Sequence, residues 1–361
     1  MGRKVSLVAG ALVALTAVAS LAGPAAAGDR VQHRLDALVS QDGFPGALAS
    51  VRSNGKVRDY AAGARVPLDG RVRIGSNTKT FTAVVVLQLV GEGKVALDQT
   101  VAHYLPGVVE DRRITVRQLL QQTSGLPDYD DVLFTEPQDL VGLSHSYYDP
   151  RRLVDAALTR PAGTPGAKWE YSNTNYILAG LIVERVTARP VGEEITRRII
   201  EPLRLRDTYW PQQGEQDIAG RHPRGYVAVA PGAPWVDVTR MDPSFGWAAG
   251  QLISTPSDLR TFLEALVQGR LLAPAQQAAM LKTVPSPDFE PTDGWEYGLG
   301  IARHALPCGG FAWGHGGDIQ GFETRNLVTG DGRSAVVAVT ALPTTLEMTA
   351  HVSEAVDAAL C

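Results

Sequence analysis

The run from Phe81 to Val90 is apolar on nearly every side of a helix, Gln88 being the exception. A helix without a polar face is expected to be buried, so the chain must wrap it. The 361 residues, 44% hydrophobic and 20% charged, hold ample material for such a core. This run is opened by Ser76-Asn77-Thr78-Lys79 and follows the extended stretch Arg71-Val72-Arg73-Ile74-Gly75. A serine and a lysine three apart share a helix face about one turn apart, so the Lys79 amine can reach the Ser76 hydroxyl. A free serine is a poor nucleophile and needs an adjacent base.

The same spacing recurs at Ser53-Asn54-Gly55-Lys56. There Asn-Gly is a type I′ hairpin signal between two alternating runs, and Ser53 and Lys56 flank an exposed turn. Spacing alone therefore decides nothing. The buried helix makes Ser76 the candidate, against the plain alternative of a helix N-cap serine beside a solvated lysine.

Residues 1–27 read as a cleavable leader. Arg3 and Lys4 are a basic start, Val5 to Leu21 an apolar segment, and Ala25-Ala26-Ala27 a cleavage site, so a secreted mature chain from Gly28 without a membrane anchor is expected. Net charge is −4 without long runs of one sign, which gives no footing for nucleic acid. Cys308 and Cys361, an even pair in an exported chain, are expected to form a disulfide. No C-x-x-C or H-E-x-x-H occurs and the seven histidines are scattered, so neither metal nor cofactor is expected.

Val31 to Ser40 reads as a helix, as do segments starting at Thr115, at Asn173 or Thr174, and at Thr255-Pro256-Ser257. Pro127 to Pro150 and Pro211 to Pro243 read as long rim loops. Tyr297 to Ala305, Phe311 to Trp313, Glu323 to Val328 and Ser334 to Ala341 read as strands, and Leu346 to Leu360 as a final helix. The expected α/β architecture is one domain over 28–361. An antiparallel sheet lobe (28–75 and 286–361) carries the terminal helices, and a mainly helical lobe (76–285) is inserted.

Two further motifs are Tyr171-Ser172-Asn173, before an apolar helix, and His315-Gly316-Gly317, after the strand Phe311-Ala312-Trp313. The order S-x-x-K, Y-x-N, H-x-G resembles the serine penicillin-recognising enzymes. Within them it is most similar to the branch of class C β-lactamases and secreted D-alanyl-D-alanine carboxypeptidases of actinomycetes. Tyr104-Leu105-Pro106-Gly107, Ser124-Gly125-Leu126, Glu201-Pro202-Leu203 and Tyr297-Gly298-Leu299-Gly300 extend the likeness. The resemblance implies the β-lactamase/transpeptidase-like fold and an acyl-enzyme on Ser76, with Lys79 as base and Tyr171 passing a proton to the leaving group. It also implies that Asn173 holds Lys79 and the substrate carbonyl. His315, Gly316 and Gly317 would let a substrate pair along the strand edge. The backbone N–H groups of Ser76 and Asp318 would form the oxyanion hole.

Specificity is where the chain departs from that pattern. His315-Gly316-Gly317-Asp318 stands where the carboxypeptidase has His-Thr-Gly-Thr, which removes two hydroxyls for a substrate carboxylate. Ala302 replaces an arginine, with Arg303 one position off and expected to face away. Phe245 takes the place of a pocket tryptophan, and Gln122 that of a histidine. The expected activity is a monomeric D-alanyl-D-alanine carboxypeptidase acting on D-amino-acid peptides and binding β-lactams. The alternatives are a D-amino-acid peptidase, amidase or esterase, a class C-like β-lactamase, and, in another class, a non-catalytic peptide-binding protein.

Overall fold

In the computed structural model, which describes residues 24–290 and 294–361, the main sheet begins at the Asn54-Gly55 hairpin. These two residues take φ of +51° and +73°, the left-handed pair that a type I′ turn requires. They join β1 (Ala47–Ser53) to β2 (Lys56–Ala62), with Ser53 opposite Lys56. The second Ser-x-x-Lys sequence thus brackets a turn.

The other strands come from the C-terminal part of the chain. They are β3 (Val284–Pro285), β4 (Glu296–Tyr297), β5 (Ala302–Ala305), β6 (Phe311–Gly314), β7 (Gly317–Ile319), β8 (Phe322–Thr329) and β9 (Ser334–Val339). Among the described residues they complete a nine-stranded antiparallel sheet in the order β2-β1-β9-β8-β6-β5-β4-β3, with β7 also on β8. The single strand expected over 297–305 is two strands. Gly300, at φ +79°, turns the chain between them, and Gly298 N–H closes the turn on Ile301 O at 2.8 Å.

The longer helices are α1 (Pro24–Ser40), α2 (Asn77–Gly91), α3 (Asn173–Thr187), α4 (Pro256–Val267) and α5 (Leu346–Leu360). Both faces of the sheet are covered, which is why every residue of β9 is buried. Ala335, Val337 and Val339 join Leu35 of α1 and Val352 and Val356 of α5 in one core. Val336 and Ala338 face the other way, into a core shared with α2, α3 and α4. A one-residue register slip would exchange these sets.

Helix α2 runs through that second core, and Phe81 stacks on Phe262 of α4 with ring centroids 3.6 Å apart. Its threonines are tolerated there because each is hydrogen-bonded. Thr78 Oγ1 accepts from Leu252 N at 3.1 Å, while Thr80 and Thr82 donate to Gly300 O and Ala248 O at 2.7 and 2.8 Å. Thr115 caps the helix Val116–Leu120 in a capping box with Gln118, and Thr255 caps α4. The rim loop after Pro127 contains two short helices, Asp130–Leu133 and Asp139–Gly142, which periodicity over so few residues did not reveal.

Cys308 and Cys361 are disulfide-bonded, tying the β5–β6 turn to the end of α5. The leader segment lies outside the described residues up to residue 23. No helix among the described residues is long and apolar enough to cross a membrane.

Candidate active site

Ser76 sits at the N-terminus of α2 with helical φ and ψ of −61° and −10°, and its side chain makes no capping bond. An N-cap serine would accept from a backbone N–H two or three residues on. The Ser76 hydroxyl instead accepts from Lys79 Nζ at 2.8 Å. Lys79 is fully buried, and its other two donors reach Asn173 Oδ1 at 2.6 Å and Ala249 O at 2.9 Å. Burial lowers its amine from the usual 10.5 to about 7, against the pull of Asp128, Asp130 and Asp318, which favour the charged form. A substantial fraction is therefore neutral near pH 7, as a base requires.

Tyr171 precedes α3. Its ring centroid is 4.9 Å from Lys79 Nζ, and its phenol faces the Ser76 side chain, whose interaction with it works against the upward push of burial. Burial, reinforced by Tyr297, holds the phenol proton well above its ordinary range. Trp169, Phe289, Tyr297 and His315 pack around Tyr171 with centroids 5.1–6.4 Å apart, forming an aromatic wall on one side of the serine.

Asn173 is engaged more fully than its motif suggests. Its Nδ2 donates to Asp128 Oδ2 at 3.0 Å and to Asp130 Oδ2 at 2.8 Å, and its oxygen accepts from Lys79. Both amide hydrogens are thus occupied, and a substrate carbonyl would have to exchange for one of them. Gln122 holds the same region from below. Its Oε1 accepts from Ser172 N at 3.1 Å and from Asn175 Nδ2 at 2.6 Å, so the glutamine found at the histidine position is a brace for the start of α3.

The His315-Gly316-Gly317 segment joins β6 to β7. His315 is 1% exposed. Its Nδ1 lies 2.5 Å from Gly316 O and its Nε2 lies 2.9 Å from the Tyr297 hydroxyl. A carbonyl can only accept, so Nδ1 carries the proton and Nε2 accepts from the tyrosine. Burial, with Lys79 nearby, lowers this imidazole to about 3 and keeps it neutral. Gly317 is required by packing against backbone, whereas a side chain at Gly316 would meet the end of the Glu290 side chain. A Cβ on Gly317 would fall 2.1 Å from Ile74 O and 2.4 Å from Asn77 Nδ2, and one on Gly316 would fall 2.4 Å from Glu290 Oε1. Among the described residues β7 pairs only with β8, which leaves its other edge without a strand.

An asparagine pair fastens this strand to the serine helix. Asn77 Nδ2 donates to Ile74 O at 2.9 Å and to Thr324 Oγ1 at 2.5 Å. Asn326 Nδ2 donates to Asn77 Oδ1 at 2.5 Å and to His315 O at 2.7 Å. Gly75, at φ +48°, lies so close to Asp318 that a Cβ there would meet its carbonyl oxygen and nitrogen at 2.7 and 2.9 Å. The start of α2 and the Asp318 backbone are thereby brought side by side.

Within His315-Gly316-Gly317-Asp318 only Asp318 is exposed, with 57% of its side chain accessible. It pairs with Arg325 of β8 at 2.8 Å. That guanidinium is buried and also pairs with Glu290 at 3.1 Å and Glu323 at 3.0 Å. Three carboxylates thus surround one arginine. Ala302 is fully buried in the core behind the sheet. Arg303, on the opposite face of the strand from Ala302, pairs with Glu296 at 2.6 Å and lies 4.5 Å from the Phe311 ring. Phe245 is half-buried, 5.5 Å from Phe134, and its carbonyl accepts from Tyr129 OH at 2.5 Å. Trp247 packs over Gly180 of α3.

An antiparallel sheet closed by terminal helices, with Ser-x-x-Lys opening a buried helix, defines a serine hydrolase of the β-lactamase and penicillin-binding protein superfamily. The Beta-lactamase family model matches residues 31–360, and the chain belongs to that family. Its fold superposes on a D-stereospecific amidohydrolase from Streptomyces sp. with a TM-score of 0.83 and 39% identity, covering 89% of this chain and 97% of that one. A D-amino acid amidase from Ochrobactrum anthropi SV3, solved with L-phenylalanine amide, gives a TM-score of 0.80 at 27% identity, covering 92% and 97%. Penicillin-binding protein 4* of Bacillus subtilis (strain 168) is 26% identical over 277 residues, 73% of this chain and 59% of that protein. The chain spans less than two thirds of the length of the curated relatives it matches.

Proposed function

We propose that the protein is an acyl-enzyme hydrolase of D-amino-acid amides or short peptides that carry a free α-amine. Ser76 attacks the carbonyl while neutral Lys79 takes its proton. The backbone N–H groups of Ser76 and Asp318 bind the oxyanion, and Tyr171 delivers the proton to the departing amine. Water then releases the acid from Ser76. The observation that carries this reading is the contact of the buried Lys79 amine with the Ser76 hydroxyl at 2.8 Å.

The choice of a free amine over a free carboxylate rests on charge. A carboxylate-terminated substrate needs a cation or hydroxyls at the end of β7. The residues there are Gly316, Gly317 and the exposed Asp318, while Arg325 is already faced by Glu290, Glu323 and Asp318. An ammonium group finds a counter-charge at Asp318, whereas a carboxylate is repelled. The amidohydrolase and amidase likenesses support the same choice, and the aromatic wall of Trp169 and Phe289 suits an apolar substrate side chain.

Two assays test it. Wild type and Ser76→Ala are compared for hydrolysis of D-phenylalanine amide, its N-acetyl derivative and an N-acylated D-Ala-D-Ala peptide. The reading expects Ser76-dependent turnover with the free amine preferred. Preference for the acylated peptide would return the carboxypeptidase assignment, and activity surviving in Ser76→Ala would remove the serine mechanism.

A further inference from the structure

Two carboxylates that this scheme leaves unused lie behind Asn173. Asp128 Oδ2 accepts from the Asn173 backbone N–H at 2.9 Å and from Nδ2 at 3.0 Å, and Asp130 Oδ2 accepts from the same Nδ2 at 2.8 Å. An amide nitrogen has two hydrogens, so both are spent on these carboxylates. The amide oxygen must then face Lys79. Turning the amide over would set its oxygen against two carboxylates and its NH2 against an amine.

We propose that Asp128 and Asp130 are positioning residues for Lys79: they lock Asn173 in the orientation that offers the lysine an acceptor, and they place negative charge beside its amine. This rests on Lys79 being the base assigned above. The two are not equivalent. Burial raises the Asp128 carboxyl, but it receives three N–H groups, two from Asn173 and one from Asp130 N to Oδ1 at 3.1 Å, which oppose that rise and favour its ionised form over that of Asp130. Asp130 Oδ1 is buried without a hydrogen-bond partner, and burial together with Asp128 pushes that carboxyl well up. Asp128 therefore carries the charge and Asp130 the proton that two adjacent carboxylates share. The carboxylate at Asn173 N–H also sits at the N-terminus of α3, where an anion is favoured.

The other groups around Lys79 are accounted for. Tyr171 and Tyr176 present rings at 4.9 and 5.8 Å from Nζ and hold their protons. His315, from the β6–β7 segment, is neutral. Asp318 of β7 adds negative charge, though it is shared with Arg325. The Asp128–Asp130 pair thus holds the negative charge dedicated to the lysine side of Asn173.

The test follows kcat/KM against pH for D-phenylalanine p-nitroanilide with wild type, Asp128→Asn and Asp130→Asn. Removing Asp128's charge lowers the Lys79 pKa, so the acidic limb should move down by about one pH unit, with a plateau loss of roughly 10- to 100-fold from the loosened amide. Asp130→Asn should show a similar plateau loss and a smaller limb shift. Plateau loss in both variants with an unmoved limb would overturn the proposal, as would unchanged profiles. Should the variants fail to fold, the wild type still decides: the Asn173 side-chain amide protons should be protected from exchange, and free exchange would overturn it. Ser76→Ala separates the two levels, because turnover that survives it removes the base assignment itself and not the pairing alone.

Discussion

Lys79 Nζ lies 2.8 Å from the Ser76 hydroxyl with no water-exposed surface of its own. The distance makes proton transfer possible, and the burial makes it useful, because the amine is brought to about 7 by desolvation. The rate constant kcat/KM should therefore rise with pH along an acidic limb near 7, where Lys79 loses its proton. Lys79→Arg keeps a donor in place but cannot deprotonate. It should lose activity by at least about 10³-fold across the whole range, and a rate that recovers above pH 8 in that variant would refute Lys79 as base.

Gly75 is the second pressure point. Its φ of +48° and its contact with Asp318 leave no room for a side chain. In Gly75→Ala the new methyl must push β7 from the start of α2, and the strained φ adds about 1 kcal/mol. Losing alignment of one oxyanion donor costs on the order of 3 kcal/mol in the transition state. The expected outcome is a roughly 100-fold fall in kcat with little change in KM. An equal fall in thermal stability and none in kcat would show that the close contact is structural only.

What could be read from sequence was what local patterns encode. The Asn54-Gly55 turn, the apolar α2, the Thr115 and Thr255 caps and the limits of α5 each rest on neighbouring residues. The pairs that align the site are long-range. Asn77 and Asn326 are 249 positions apart, and nothing near either predicts the other. Asp128 and Asp130 stood in a segment read as rim loop, although two acids next to Ser124-Gly125-Leu126-Pro127 were a signal. Glu323 and Arg325 were a clearer one. Two charges at i and i+2 lie on one face of a strand that is buried at every position, which is tolerated only if that face is paired.

His315 carries a consequence for acid stability. Its folded pKa of about 3 lies below the unfolded 6.5, mainly because burial opposes the charged ring. The unfolded chain therefore takes up the proton first. Its contribution is fully present above about 6.5 and is lost as pH falls from there toward 3, by a few kcal/mol in total. In His315→Gln the loss of the fitted contact to Tyr297 should lower stability at pH 7 by about 1–3 kcal/mol. The same variant should lose less stability between pH 6.5 and 3 than wild type does. Urea unfolding at pH 7 and pH 4 measures both, and parallel losses in the two proteins would place the acid sensitivity elsewhere.

The Cys308–Cys361 bond closes a separation of 53 residues and anchors the last turn of α5 to the β5–β6 turn. A loop of that size is worth about 4 kcal/mol in the chain-entropy model. The helix it secures supplies Val352, Ala355, Val356 and Leu360 to the core behind the sheet, on the opposite face from α2. Cutting the bond should therefore loosen α5 before it disturbs Ser76. Cys308→Ser is expected to lower the melting temperature by several degrees and to leave kcat at 25 °C within about twofold of wild type. Hydrogen exchange should rise first in α5 and β9. Early exchange in α2 instead would mean that the bond supports the site directly, through β6 and the His315 segment that follows it.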